Sequence, residues 1–268
     1  MTGRLVSAAP LAHLRWDAGA APRGWAVLLH GVGGGREAWM GVAPTLARIG
    51  WNVAAVDLPG YGLTPAITPY DLAGLAARVL ALLDHLDAPR ALLVGHSMGG
   101  MLAQEVHALA PERVSGLVLA NTSPAFGRPE GDWQQDFLRQ RFAPLDAGLG
   151  MAGLAAQLVP AMLGPDAPAA AAQAALALMA GVPEATYRAA LAALVAFDRR
   201  AALASITVPT LVITGEHDQA APPAVSQRMA QKIPRAVLSI LPGAGHLAPI
   251  EQPAAFARAL DVFLTTVA

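Results

Sequence analysis

A serine between two glycines directly follows a short apolar run. The run Ala91–Val94 ends at Gly95, Ser97 follows two residues later, and Gly99 completes a Gly-x-Ser-x-Gly pattern. This pattern is typical of a sharp turn from a strand into a helix, where glycines prevent backbone collisions and the serine hydroxyl is exposed. The N-terminus of the helix would direct N–H groups and the positive end of its dipole toward that hydroxyl. The segment therefore predicts a nucleophilic serine.

A serine hydroxyl is a weak nucleophile unless an imidazole accepts its proton and a carboxylate orients the imidazole. The pattern alone does not identify a nucleophile, because it also arises by chance in a chain with 26 glycines. The presence of a suitable histidine and carboxylate is therefore the deciding evidence. Of the seven histidines, His246 lies in the glycine-rich segment Gly243–Leu247, after the last predicted strand. His85 and His107 fall inside predicted helices instead. We therefore predict that His246 is the general base.

The carboxylate is expected in a loop between the serine and the histidine. Asp218 lies in the segment Thr214–Asp218, which follows an apolar strand-like run. Glu216 in the same loop is the alternative, but a turn that begins at Gly215 carries Asp218 farther out. We predict Asp218 as the acid, which gives the order Ser97, Asp218, His246 along the chain.

The composition excludes several other chemistries. The 268 residues include no cysteine, which rules out disulfides, thiolate metal sites and cysteine nucleophiles. A formal net charge of -1 gives no basic surface for nucleic acid or an anionic membrane. No histidine and carboxylate cluster has metal-ligand spacing, so we expect no metal and no other cofactor. Residues 1–17 lack the apolar core of a signal peptide, and we predict a cytoplasmic protein.

Strand-like and helix-like segments alternate along most of the chain. Apolar runs predict strands at Gly24–Leu29, Asn52–Val56, the run before Ser97, Gly116–Ala120, Pro209–Thr214 and Ala236–Leu241, with one or two edge strands within residues 4–17. Helices are predicted at about Trp39–Ile49, Tyr70–Leu86, Met101–Ala110, Pro223–Lys232 and Pro253–Thr265. This alternation predicts an α/β fold with a mostly parallel sheet covered by helices on both faces. The candidate site residues all follow strands and can meet at one edge of the sheet.

The alternation stops after Pro124 and resumes near Ser205. The intervening residues are rich in alanine, leucine and methionine and predict a helical insertion. We therefore divide the chain into a core of residues 1–123 and 206–268 and a helical cap of residues 124–205. Most apolar residues of the cap are expected to pack its own core, and a minority to line a pocket. Five arginines of the cap are expected at the solvated surface, with binding of a substrate carboxylate as the alternative: Arg139, Arg141, Arg188, Arg199 and Arg200.

The Gly-x-Ser-x-Gly turn, the His30-Gly31 pair and the order of the three candidate residues resemble the α/β-hydrolase superfamily over nearly the whole chain. The resemblance implies a serine hydrolase that acts on a small ester-like molecule and water, of the esterase or enol-lactonase type, and a homo-oligomer is compatible with it. It also implies an oxyanion hole formed by the backbone N–H groups of Val32 and Met98, whose side chains would line the pocket. We further predict four substrate-binding residues: Gly31, Gly33, Met162 and Leu247.

Three other interpretations are weighed against an esterase. The segment Gly31–Gly35 with Asp57 suggests a dinucleotide loop, but Arg36 occupies the position of the last required glycine. Carbon–carbon bond hydrolases of meta-cleavage pathways generally carry a tryptophan after the catalytic histidine, where this chain has Leu247, so they are the second choice. A non-catalytic ligand-binding relative is the third, and the complete set of three candidate residues argues against it.

Overall fold

The computed structural model describes residues 3–126 and 132–266. Its strands form a single eight-stranded sheet in the order β1-β2-β4-β3-β5-β6-β7-β8. The strands are β1 (Arg4–Val6), β2 (His13–Trp16), β3 (Gly24–Leu29), β4 (Trp51–Val56), β5 (Ala91–His96), β6 (Val114–Ala120), β7 (Thr210–Gly215) and β8 (Ala236–Leu241). The pairs β1/β2 and β2/β4 are antiparallel and the remaining pairs are parallel. The α/β fold with a mostly parallel sheet is confirmed.

Helices cover both faces of this sheet. They are α1 (Ala43–Arg48), α2 (Leu72–His85), α3 (Met98–Leu109), α4 (Asp132–Asp146), α5 (Gly150–Met162), α6 (Ala169–Ala180), α7 (Glu184–Val195), α8 (Pro223–Lys232), α9 (Ala248–Glu251) and α10 (Pro253–Thr266). Within β3, Val27 and Leu29 contribute to one hydrophobic core, whereas Ala26 and Leu28 contribute to the other. Successive side chains of a strand point to opposite faces, so a strand buried on both sides is apolar throughout.

Three predicted helices differ from the structure at their N-termini, the helix expected from Tyr70 by only two residues, since it begins at Leu72. The helix expected from Trp39 begins at Ala43, after a short 3-10 turn over Arg36–Trp39. Pro44 explains this shift, because proline has no N–H to continue a helix from an earlier turn but is favoured in the first turn of a new one. The helix expected from Met101 begins at Met98, directly after the candidate serine. The bounds of β3, β8 and α8 agree with the prediction.

Helices α4 to α7 lie between β6 and β7, in the segment predicted as a cap. The chain enters and leaves this segment at one place, where Phe126 N–H donates to the Phe197 carbonyl at 3.0 Å and Arg199 N–H donates to the Pro124 carbonyl at 2.7 Å. The Arg199 guanidinium also forms two hydrogen bonds of 2.7 and 2.8 Å with the buried carboxylate of Glu105 on α3. The helical segment is therefore joined firmly to the sheet-bearing part of the molecule.

Candidate active site

Ser97 occupies the sharp turn between β5 and α3. Its φ angle of 53° lies in the left-handed region, which a residue with a side chain rarely adopts. A Cβ at Gly95 would lie 2.2 Å from the Gly99 carbonyl oxygen, and a Cβ at Gly99 would lie 2.1 Å from the Leu29 carbonyl oxygen. Both glycines are therefore required by close backbone approach, as the sequence pattern indicated, and the turn presents Ser97 at the end of the strand.

His246 lies between Ser97 and Asp218 and is hydrogen-bonded to both. The Ser97 hydroxyl is 3.1 Å from His246 Nε2, and His246 Nδ1 is 3.0 Å from each carboxylate oxygen of Asp218. The network assigns the proton to Nδ1, which donates to the carboxylate and leaves Nε2 to accept from the serine. Since His246 and Asp218 are both buried, water competes little for these contacts. The structure thus brings all three predicted residues together.

The Asp218 carboxylate is held in place by several donors besides His246. Asn121 Nδ2 donates to one oxygen at 2.9 Å, and the N–H groups of Ala220 and Ala221 donate to the other, each at 2.9 Å. Burial acts to raise the pKa of Asp218, but hydrogen bonding and charge interaction with His246, together with the hydrogen bonds from Ala221 and Asn121, outweigh burial and hold the pKa below its ordinary value. The alternative acid Glu216 is exposed and accepts the Gly243 N–H instead.

The loop that carries His246 is fixed by its backbone. The His246 N–H donates to the Met162 carbonyl at 2.7 Å, and the buried His96 side chain donates from Nε2 to the His246 carbonyl at 2.7 Å. Burial, followed by the neighbouring His246, lowers the pKa of His96 to about 3, so His96 is neutral. His96 therefore acts as a hydrogen-bond donor to this loop at neutral pH.

Glu251 is a further contributor that the sequence analysis did not single out. Its buried carboxylate accepts the N–H groups of Gly245 at 3.0 Å and Leu247 at 2.9 Å, one on each side of His246. It also accepts the N–H of Gly164, in the loop after α5, at 2.7 Å. One carboxylate thus ties the histidine loop to the helical segment. An acid five residues after the candidate histidine was the available sequence signal.

The predicted oxyanion-hole residues flank Ser97. Met98 is the first residue of α3, where an N–H group has no intrahelical acceptor. Val32 follows β3, and a Cβ at the adjacent Gly31 would lie 3.0 Å from Ser97 Cβ, so this loop passes close to the serine. The Tyr61 hydroxyl donates to the Val32 carbonyl at 2.9 Å and helps to fix the loop.

Of the side chains of Val32 and Met98, both predicted to line the pocket, only one does so. Val32 lines the cavity beside Ser97, as predicted. The Met98 side chain is completely buried in the hydrophobic core and is wrongly placed by the prediction. Helix α3 is buried along Met98–His107, so its first side chain packs into the protein, and Met101 contributes to the cavity wall instead.

A cavity of about 350 Å³ opens at Ser97 and His246. Gly33 and Met162, two of the four predicted substrate-binding residues, line it. Gly31 and Leu247 line a smaller adjoining cavity of about 80 Å³ that also reaches Ser97 and His246. All four predicted residues therefore lie on cavity walls next to the serine.

The helical segment supplies most of the apolar wall. Its Leu158 and Met179 face the larger cavity, whereas Met151 and Leu154 are buried among the helices. This division agrees with the expectation that only a minority of the apolar cap residues line a pocket. The cavity is thus suited to an apolar group attached to the reacting atoms.

The sequence matches the alpha/beta hydrolase fold family over residues 25–253. The chain belongs to this family. RutD of Variovorax paradoxus (strain S110), which is named as a carbamate hydrolase, is 36% identical over 251 residues, or 91% of this chain and 93% of RutD. The pimeloyl-acyl-carrier-protein methyl ester esterase of Edwardsiella ictaluri (strain 93-146) is 32% identical over 257 residues, or 88% of this chain and 92% of the esterase.

A solved structure extends the likeness to three dimensions. The enol-lactonase from Burkholderia xenovorans LB400 superimposes with a TM-score of 0.85 and 28% identity, over 98% of this chain and 100% of that protein. These relatives support a hydrolase activity for this member of the alpha/beta hydrolase family.

The competing nucleotide-loop interpretation is not favoured in this hydrolase. The Asp57 carboxylate is buried and accepts hydrogen bonds from the Arg36 guanidinium and the Leu63 N–H, so it stabilises the local turn. Among residues 3–126 and 132–266, no group of three histidine, aspartate or glutamate side chains is arranged to hold a metal ion. Within the same residues, no helix combines the length and apolar character needed to cross a membrane.

Proposed function

We propose that this protein is a serine hydrolase that cleaves a carboxylic ester or lactone through an acyl-enzyme on Ser97. The observation that carries the proposal is the continuous hydrogen-bond chain from the Ser97 hydroxyl through His246 to the buried carboxylate of Asp218. It opens onto a largely apolar cavity, where an ester of a small organic molecule can bind. The family relatives named for ester and enol-lactone substrates support the same reaction class.

In the first half of the reaction, Ser97 Oγ bonds to the substrate carbonyl carbon as its proton moves to His246 Nε2. The carbonyl oxygen becomes an oxyanion, and the N–H groups of Met98 and Val32 stabilise it. The intermediate then collapses, the bond to the leaving oxygen breaks, and that oxygen takes the proton from His246. An acyl group remains on Ser97.

In the second half, water attacks the acyl carbon while His246 accepts a proton from the water. Collapse of the second intermediate returns this proton to Ser97 and releases the acid. Asp218 keeps the His246 ring in the required orientation and stabilises its protonated form. Because the pKa of Asp218 lies below its ordinary value, the carboxylate remains ionised throughout the neutral range.

A carbamate is the second candidate substrate, because RutD is named for that activity and a carbamate also presents a carbonyl to the serine. A panel of p-nitrophenyl esters and matched p-nitrophenyl carbamates distinguishes the two substrate classes. Higher kcat/KM for p-nitrophenyl esters than for matched p-nitrophenyl carbamates would favour the ester, and the reverse order would favour the carbamate.

The test of the mechanism is stoichiometric labelling with a fluorophosphonate, mapped to the modified peptide, together with release of p-nitrophenol from short-chain and medium-chain esters. We expect labelling at Ser97 and turnover in the native protein. Ser97→Ala is expected to lose labelling and about 10⁶-fold in kcat. Asp218→Asn is expected to lose about 10⁴-fold, because the ring tautomer changes. Labelling of a folded protein at another residue would refute the assignment.

A further inference from the structure

The cavity beside Ser97 contains a cation that no described carboxylate neutralises. Arg141 of α4 lines this cavity together with Ser97 and His246. The described residues of the cavity wall include no aspartate or glutamate, and Arg141 has no carboxylate within ion-pair distance among residues 3–126 and 132–266. An unpaired guanidinium beside an apolar cavity is suited to an anionic ligand.

The other described arginines of the helical segment behave differently. Each of them is paired with a carboxylate of the protein: Arg139 with Asp136, Arg188 with Asp146 and Glu184, Arg199 with Glu105, and Arg200 with Asp198. Arg141 is thus distinguished from its neighbours both by its position in the cavity wall and by the lack of a described acidic partner.

Aromatic side chains on α4 orient this arginine. Trp133, Phe137 and Arg141 are spaced four residues apart, so they lie along one face of the helix, and all three line the cavity. The rings of Trp133 and Phe137 are stacked with centroids 5.9 Å apart, and the Arg141 guanidinium carbon lies 5.1 Å from the Phe137 centroid. Stacking on Phe137 occupies one face of the guanidinium and leaves the N–H groups at its edge available.

Tyr187 of α7 supplies a second donor in the wall of the same cavity. It is buried and lines the same cavity. Burial raises the pKa of the Tyr187 hydroxyl, and the positive charge of Arg141 acts against this rise. A neutral phenol O–H and a guanidinium fork together match the two oxygens of a carboxylate.

We propose that the substrate carries a carboxylate at the far end of its apolar acyl chain, and that Arg141 and Tyr187 bind this carboxylate while the reacting carbonyl lies at Ser97. The aromatic side chains of α4 and the apolar residues of the helical segment contact the chain between the two ends. A single cation among the described residues of the cavity wall fits a singly charged carboxylate, so the substrate class is a monoester of a dicarboxylic acid or a lactone of a hydroxydicarboxylic acid. This inference rests on the proposed function at Ser97.

The test compares two esters of equal chain length, mono-p-nitrophenyl adipate, which is anionic, and its methyl ester, which is neutral. We expect the native protein to favour the anionic ester by about 10- to 100-fold in kcat/KM, as for a hydrogen bond to a charged group. Arg141→Met should bring the ratio close to one, and Arg141→Lys should retain part of it. Arg139 lies on the same helix with its side chain 74% exposed, so the control Arg139→Met should keep the native ratio.

A binding experiment separates this inference from the proposed function. Ser97→Ala is titrated by calorimetry with monomethyl adipate and with dimethyl adipate, and the double variant with Arg141→Met is titrated in the same way. Tighter binding of the monoester that depends on Arg141 would support the carboxylate site even if the native protein released no p-nitrophenol, which would refute the hydrolase alone. Turnover of both esters at equal kcat/KM by the native protein, or an unchanged ratio in folded Arg141→Met, would overturn the carboxylate site.

Discussion

Replacing Glu251 by glutamine tests whether one buried carboxylate holds the loop that carries His246. Its two oxygens accept three backbone N–H groups, those of Gly164, Gly245 and Leu247. Glutamine has nearly the same shape but replaces one oxygen by an NH₂ group, which donates hydrogen bonds. Whichever way the amide turns, at least one backbone N–H faces another donor.

The magnitude follows from these contacts. A hydrogen bond to a charged group contributes about 1.5–3 kcal/mol, and a buried donor left without a partner costs about 1–3 kcal/mol. We therefore expect Glu251→Gln to lower the free energy of unfolding by about 2–5 kcal/mol. Because Gly245 and Leu247 flank His246, we also expect kcat for ester hydrolysis to fall, with a smaller change in KM.

The assay combines urea denaturation at pH 7 with steady-state kinetics on a p-nitrophenyl ester. Glu216→Gln is the matched control, since Glu216 also accepts a backbone N–H near this loop, that of Gly243 at 2.9 Å, but its side chain is 55% exposed. Water replaces the lost contact there, and we expect a change within about 0.5 kcal/mol. Equal stability of the two variants would refute the reasoning about burial. Lost stability with unchanged kcat would refute the link to His246.

Two further predictions concern the turn at Ser97 and acid sensitivity. Gly99→Ala would place a Cβ 2.1 Å from the Leu29 carbonyl oxygen, and we expect it to destabilise the protein by about 3 kcal/mol or to prevent folding. Gly19→Ala is the control: a Cβ there has no atom within 4 Å, so its stability in the same denaturation assay should be unchanged. Similar urea midpoints for the two variants would contradict the close approach of Gly99 to the Leu29 carbonyl. The pKa of His96 is lowered to about 3, so between its ordinary value near 6.5 and that pH the unfolded chain binds a proton that the folded chain does not. Protonation of His96 in the unfolded chain should therefore lower the free energy of unfolding by about 1.4 kcal/mol for each unit of falling pH. His96→Gln should reduce the slope of unfolding free energy against pH by the equivalent of one proton, and an unchanged slope would exclude His96 as the cause.

The sequence predicted the sheet well because its strands are buried on both faces. A strand such as β3 must then be apolar throughout, and such runs are easily recognised. The start of α3 was missed because Gly99 and Gly100 are poor helix formers. Tertiary packing requires a glycine here instead, since a Cβ at Gly100 would lie 2.6 Å from the Thr122 side chain. Local propensity cannot reveal such contacts.

The candidate site divides along similar lines. Ser97, Asp218 and His246 could be found because each follows a strand and their chemistry requires one another. Glu251 could not be assigned a role, because a carboxylate that accepts backbone N–H groups requires no particular partner residue. Arg141 was grouped with the surface arginines, since whether an arginine finds a distant acid, as Arg188 does with Asp146 and Arg199 with Glu105, depends on how the helices pack.

The paired backbone at Phe126 and Phe197 has an evolutionary consequence. Because the polypeptide leaves and rejoins the sheet at one pair of adjacent segments, the length and sequence between these residues can change with little effect on the strands that precede Ser97, Asp218 and His246, provided that the contacts of Met162 and Gly164 with the His246 loop are kept. The structure thus combines a sheet that positions Ser97, Asp218 and His246 with a helical segment that supplies most of the apolar cavity wall. We expect that grafting the segment between the two phenylalanines from one relative to another, with these two contacts retained, changes the substrate preference.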